Sequence, residues 1–144
     1  MAVKRVSPAE ARELMDKEGY VYVDVRSLPE FAAGHPQGAY NVPLMNLGPG
    51  GMAPNPEFLK VMGAFPRDAK LIVGCKAGGR SARAASMLES AGYTGVVDQR
   101  AGFEGAPDPA TGRIGEPGWR PAGLPVSAEP LPDRTYEALK AKAR

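Results

Sequence analysis

The chain is 144 residues long, the size of one compact domain, and a second full domain is excluded unless it is a short appendage. Apolar residues make up 43% and charged residues 24%, enough to build a core, although 18 glycines and 15 prolines sit just under the range at which disorder becomes the default. The formal net charge is only +2, and four basic residues fall between Arg134 and Arg144 against one acidic, so no nucleic-acid footprint is spread over a folded face. No run approaches the roughly 18 apolar residues of a membrane span. The start Met1-Ala2-Val3-Lys4-Arg5 leads into a helix-start pattern rather than an apolar leader, so a soluble, cytoplasmic protein is expected, with neither nucleic acid nor membrane as partner. One cysteine and one histidine exclude an intrachain disulfide and an ordinary four-ligand structural zinc site, so Cys75 is either inert packing or chemistry.

In chain order, Ser7-Pro8-Ala9-Glu10 combines a capping hydroxyl, a proline at the first helical position and a glutamate three residues after the cap, which predicts a helix over 8–18 ending at Gly19. Tyr20 to Val25 is β-branched and aromatic with one exception, Asp24, as in a strand buried on both faces. Ser27-Leu28-Pro29-Glu30 repeats the capping box, and Asn55-Pro56-Glu57 opens a third short helix. Lys70 to Gly74 is a second buried strand, Ala82 to Ala91 a helix closed by Gly92, and Gly95-Val96-Val97 a third strand. Strands alternating with helices predict an α/β domain with a largely parallel sheet, its ligands held beyond the carboxyl ends of the strands. From Glu104 to Asp133, 12 of 30 residues are glycine or proline. Residues 1–133 are therefore expected to form a single domain, with 104–133 laid over it irregularly and pinned by Trp119, and 134–144 a solvated basic helix or tail.

The chemistry concentrates after the second strand, in Cys75-Lys76-Ala77-Gly78-Gly79-Arg80-Ser81. No proline interrupts Lys76 to Ser81, so every amide there is available as a donor, and Gly78 and Gly79 let the segment curl. Amides curled around a sulfur at a helix N-terminus form an anion cradle that favours thiolate over thiol. Lys76, Arg80 and Arg83 add positive charge, which implies a small anionic substrate. The residues thus point to an exposed, anion-handling cysteine nucleophile, with Lys76, Ala77, Gly78, Gly79, Arg80 and Ser81 as its substrate-binding loop. Asp24 and Arg26 are expected to form a buried pair holding that loop, with Glu30 serving its helix cap and His35 a structural turn.

Asp24-Val25-Arg26, Glu30-Phe31, Gly34-His35, Gly38-Ala39 and Asn41-Val42-Pro43 together resemble the first motif of rhodanese-type sulfurtransferases, and Cys75, Gly78, Arg80 and Ser81 resemble that family's active-site loop. The resemblance covers roughly residues 5 to 125. It implies a rhodanese-like fold, a parallel five-stranded sheet flanked by helices, with no metal or organic cofactor. It also implies a double displacement in which Cys75 takes a sulfane sulfur from a small anionic donor such as thiosulfate. The persulfide then passes that sulfur to cyanide or a thiol acceptor, and a sulfur-relay protein is a further candidate partner. Two alternatives remain: a sulfur carrier with little turnover of its own, and a cysteine-dependent phosphatase or arsenate reductase. Phosphatases place one more residue between nucleophile and arginine than the four found here, and the loop lacks an acidic general acid. Pro36-Gln37 stands where the family has isoleucine-proline, and a long Gly/Pro-rich insertion separates Gly102-Phe103 from Trp119, like a bacterial subgroup with an extended loop near the site. Phe103 is a candidate wall of the pocket.

Overall fold

A computed structural model describes residues 3–108 and 110–143, so the start of the chain, Pro109 of the Gly/Pro-rich segment and the terminal Arg144 lie outside the described residues. In chain order the elements are β1 (Lys4–Val6), α1 (Pro8–Glu18), β2 (Val21–Asp24), α2 (Leu28–Ala33), β3 (His35–Pro36), β4 (Tyr40–Asn41), β5 (Met45–Gly48), β6 (Gly51–Pro54), α3 (Phe58–Met62), β7 (Leu71–Gly74), α4 (Gly79–Ser90), β8 (Val96–Gln99), β9 (Gly105–Pro107), β10 (Ile114–Pro117), β11 (Val126–Ser127) and α5 (Tyr136–Lys142). Five strands form one parallel sheet in the order β1-β8-β7-β2-β4. β7 lies at its centre, buried along its whole length, with Leu71 and Val73 facing one layer and Ile72 the other, as the two-residue period of a strand requires. Helices α3, α4 and α5 cover the first face through Phe58, Met62, Leu88 and Leu139. α1, α2 and the returning insertion cover the second through Ala11, Phe31 and Trp119. No helix among the described residues is long and apolar enough to cross a membrane.

Local signals explain the helix starts. Ser7 Oγ accepts from the Glu10 amide at 3.1 Å while Glu10 Oε1 accepts from the Ser7 amide at 2.9 Å, and Gly19 closes α1 in the left-handed region. At α2, Glu30 Oε1 accepts from the Ser27 amide at 3.1 Å. α4 starts three residues before the expected Ala82, because Gly78 at φ 100 already turns the chain, so Gly79, Arg80 and Ser81 belong to the first helical turn rather than to the loop.

Two expectations for the C-terminal third need correction. Segment 104–133 is not wholly irregular: β9 and β10 form an antiparallel hairpin, and β11 pairs with β3. Trp119 does pin it, fully buried, with Nε1 donating to Pro125 O at 2.7 Å. The basic tail is not merely solvated either. Leu139 is 2% exposed in the main core, Lys140 Nζ lies 3.0 Å from Glu57 on the approach to α3, and Arg134 NH1 donates to Gly38 O at 2.6 Å. Replacing Leu139 by alanine is expected to cost about 2–5 kcal/mol of folding stability, read from the urea midpoint at unchanged slope. A truly solvated helix would lose nothing measurable.

Candidate active site

The carboxyl ends of β2, β7 and β8 converge on one edge of the sheet, and Cys75 is the first residue past β7. The turn that follows is fixed at Gly78. Its φ of 100 lies in the left-handed region, and a β-carbon there would collide with the Arg100 carbonyl. So turned, the Gly78 amide donates to Cys75 Sγ at 3.0 Å. Among the described residues no other amide of Lys76 to Ser81 reaches the sulfur, so the expected ring of nitrogens reduces to one direct donor at a helix N-terminus. The sulfur is not exposed as expected. Cys75 is 2% accessible and packs in the core cluster, while Lys76, Ala77 and Gly79 on its loop are exposed.

Behind the sulfur lies a polar chain. Cys75 Sγ donates to Ser81 Oγ at 3.6 Å, Ser81 Oγ donates to Asp98 Oδ1 at 2.6 Å, and Arg5 Nε donates to Asp98 Oδ2 at 2.9 Å. Ser81 is thus beside Cys75, but its single proton is committed away from the sulfur. Nothing local in the sequence marks Asp98 or Arg5, because they reach the loop from β8 and the edge strand β1 through sheet pairing alone.

Arg80 also departs from expectation. Rather than filling the loop, its guanidinium forks onto Glu30, with NH1 to Oε1 at 2.7 Å and NH2 to Oε2 at 3.0 Å, tying α4 to α2. Partial burial raises the Glu30 carboxyl, but hydrogen bonds from Arg80 and Ser27 outweigh it and hold it down at about 2. Asp24 and Arg26 do form the buried pair, with Nε and NH2 donating to the carboxylate at 2.7–3.0 Å. Burial pushes the Asp24 carboxyl up against the pull of Arg26. The pair braces the end of α2 rather than the cysteine loop, since Arg26 NH2 also donates to Gly34 O at 2.6 Å. His35 is buried, stacked on Phe31 with Nδ1 2.8 Å from Phe31 O, which agrees with a structural turn and not a base. Arg83 is exposed on α4.

Beside the loop opens a cleft of about 290 Å³ whose lining includes Arg26, Glu30, Lys76, Phe103, Glu104 and Arg120 but not Cys75. Phe103 is indeed a wall, carrying the Arg26 guanidinium 4.3 Å over its ring. Among the described residues no three metal-ligating side chains come together.

The fold is a parallel α/β domain whose one cysteine sits between a central strand and a helix N-terminus, near a small charged cleft. A family profile described as the rhodanese-like domain matches residues 7–106. The chain is 42% identical over 111 residues to thiosulfate sulfurtransferase 16, chloroplastic, of Arabidopsis thaliana, covering 76% of this chain and 82% of that protein. It is 45% identical over 94 residues to senescence-associated protein DIN1 of Raphanus sativus, covering 65% of this chain but only 51% of that longer protein. The crystal structure of Rv0390 from M. tuberculosis superposes with a TM-score of 0.72 at 31% identity, over 90% of this chain and 100% of that one. The chain belongs to the rhodanese-like domain family.

The Glu30–Arg80 bridge makes a prediction about pH. The folded carboxyl is more acidic than the unfolded one, so the bridge contributes in full above about pH 4.5 and its contribution is lost as the pH falls through about 2. Glu30→Gln is therefore expected to be less stable than the wild type at pH 5, with the two converging near pH 2. Urea unfolding across that window checks this, and a gap that stays constant would show the bridge to be inert.

Proposed function

We propose that the protein is a sulfurtransferase of the thiosulfate type, in which Cys75 carries the transferred sulfur. The observation that carries this reading is the Gly78 amide held 3.0 Å from Cys75 Sγ where β7 gives way to α4. That donor supports an anionic sulfur at this position, whether on the cysteine itself or one bond further out. The relatives named as thiosulfate sulfurtransferases support the same assignment.

The chemistry is a pair of displacements at sulfur. The Cys75 thiolate attacks the outer sulfur of thiosulfate, the sulfur–sulfur bond of the donor breaks, and sulfite departs with its electron pair. Cyanide, or a thiolate, then attacks the terminal sulfur of the persulfide and the Cys75 thiolate is released. Charge balances in both steps, and sulfite needs little proton assistance as it leaves. The four residues between Cys75 and Arg80, one fewer than in cysteine-dependent phosphatases, favour this reaction over phosphate ester cleavage.

Incubation with thiosulfate and cyanide is expected to yield thiocyanate, with Cys75→Ser inactive. Full turnover by that variant would refute the assignment. If instead intact mass shows one added sulfur on Cys75 only after exposure to a persulfidated protein, the domain is a carrier and not a thiosulfate enzyme.

The two basic loop residues should separate experimentally. Lys76 is exposed and has no ion-pair partner among the described residues, so Lys76→Ala is expected to raise the apparent KM for thiosulfate several-fold with kcat and stability kept. Arg80 is a fork that joins two helices, so Arg80→Ala should lower thermal stability and kcat together. Matching behaviour of the two variants in steady-state and melting measurements would contradict this division.

A further inference from the structure

The cleft carries two charges that the displacement chemistry leaves unused, Glu104 and Arg120. Main-chain pairing fixes their position. Phe103 and Glu104 donate their amides to the carbonyls of Cys75 and Lys76 at 2.7 and 2.9 Å, so this stretch lies directly on the nucleophile loop. Trp119 and Arg120 donate theirs to the carbonyls of Gly102 and Phe103 at 2.9 and 3.0 Å, which lays the far end of the insertion on the same stretch. Gly118 permits that approach, since a β-carbon there would stand 2.5 Å from Gly105 N and 2.6 Å from Phe103 C. The insertion therefore delivers one arginine to the cleft, one backbone layer away from the cysteine loop, with buried Trp119 as its anchor.

Arg120 Nε and NH2 each donate to a Glu104 oxygen at 2.7 Å, and the guanidinium holds the Glu104 carboxyl below its ordinary range. The pair remains open to solvent, with side chains 55% and 34% exposed, and ion pairs of that exposure are weakly held. A planar fork that fits two carboxylate oxygens fits two oxygens of a sulfonate-type group equally well.

We propose that Arg120 binds the oxygen-bearing end of the sulfur donor and that Glu104 is its built-in competitor, exchanged when the donor enters. This rests on the sulfurtransferase reading and deepens it. The Gly/Pro-rich insertion then serves to carry a second anion-binding side chain to a loop whose own arginine is engaged with Glu30.

The test is a comparison of signs. Glu104→Gln frees the guanidinium and removes a repelling charge, so kcat/KM for thiosulfate is expected to rise by about threefold to fivefold, while Arg120→Ala lowers it by a similar factor. Calorimetric titration of thiosulfate into Cys75→Ser protein carrying each change should show tighter and weaker binding in the same order, independently of turnover. If the bridge only braces the insertion, both substitutions weaken binding or neither alters it, and the proposal falls. If the wild type forms no persulfide with thiosulfate at all, it is the sulfurtransferase reading that fails, whatever the titrations show.

Discussion

Between the end of β7 and the first residue of α4 there are four residues in which the chain must reverse, and the reversal is made by Gly78 in the left-handed region. Its amide thereby points back at the sulfur it has just passed, 3.0 Å away. Any side chain at this position would meet both an unfavourable φ and the Arg100 carbonyl, so the backbone of the following loop enforces the turn from outside. The hydrogen bond to Cys75 is consequently a property of the fold rather than of a mobile side chain, preorganised at no further entropy cost.

A buried sulfur that joins a polar chain needs polar surroundings that are themselves satisfied. The end of β8 supplies them. Asp98 faces the loop and is matched by Ser81 and Arg5, while Gln99 spans the next turn, its Oε1 accepting from the Ala101 and Gly102 amides at 2.8 and 2.9 Å and its Nε2 donating to Gly102 O at 2.7 Å. That turn shapes the stretch that lies on the Cys75 and Lys76 carbonyls. Two polar residues at the end of an otherwise apolar strand thus organise opposite sides of the same site. Asp98 steadies the helix side, and Gln99 steadies the loop that walls the cleft.

What the sequence discloses follows from the range over which each interaction acts. The capping boxes at Ser7 and Ser27, the buried strand Leu71–Gly74 and the cysteine loop are written in contiguous residues, and all are present. The outer strands are not legible, because β1 and β4 span only three and two residues and gain their identity from pairing with β8 and β2. Along the chain Arg80 looks like a loop donor because its partner Glu30 lies fifty residues away, and the role of α5 is hidden because a short basic helix shows its one core residue, Leu139, only once α3 is in place. The burial of Cys75 is likewise invisible, since it depends on helix α4 packing over strand β7 rather than on the loop's composition.

The charge of the site is also a tertiary outcome. Read along the chain, the loop gathers several cations near one thiol, which suggests a strongly positive trap. In the folded domain Arg26 faces Asp24, Arg80 faces Glu30 and Arg120 faces Glu104, leaving Lys76 as the cleft cation without such a match among the described residues. A field that is mostly cancelled cannot discriminate anions over a distance. Under the proposed sulfur transfer, discrimination then has to come at contact, from the geometry with which the donor's oxygens meet the guanidinium at the rim.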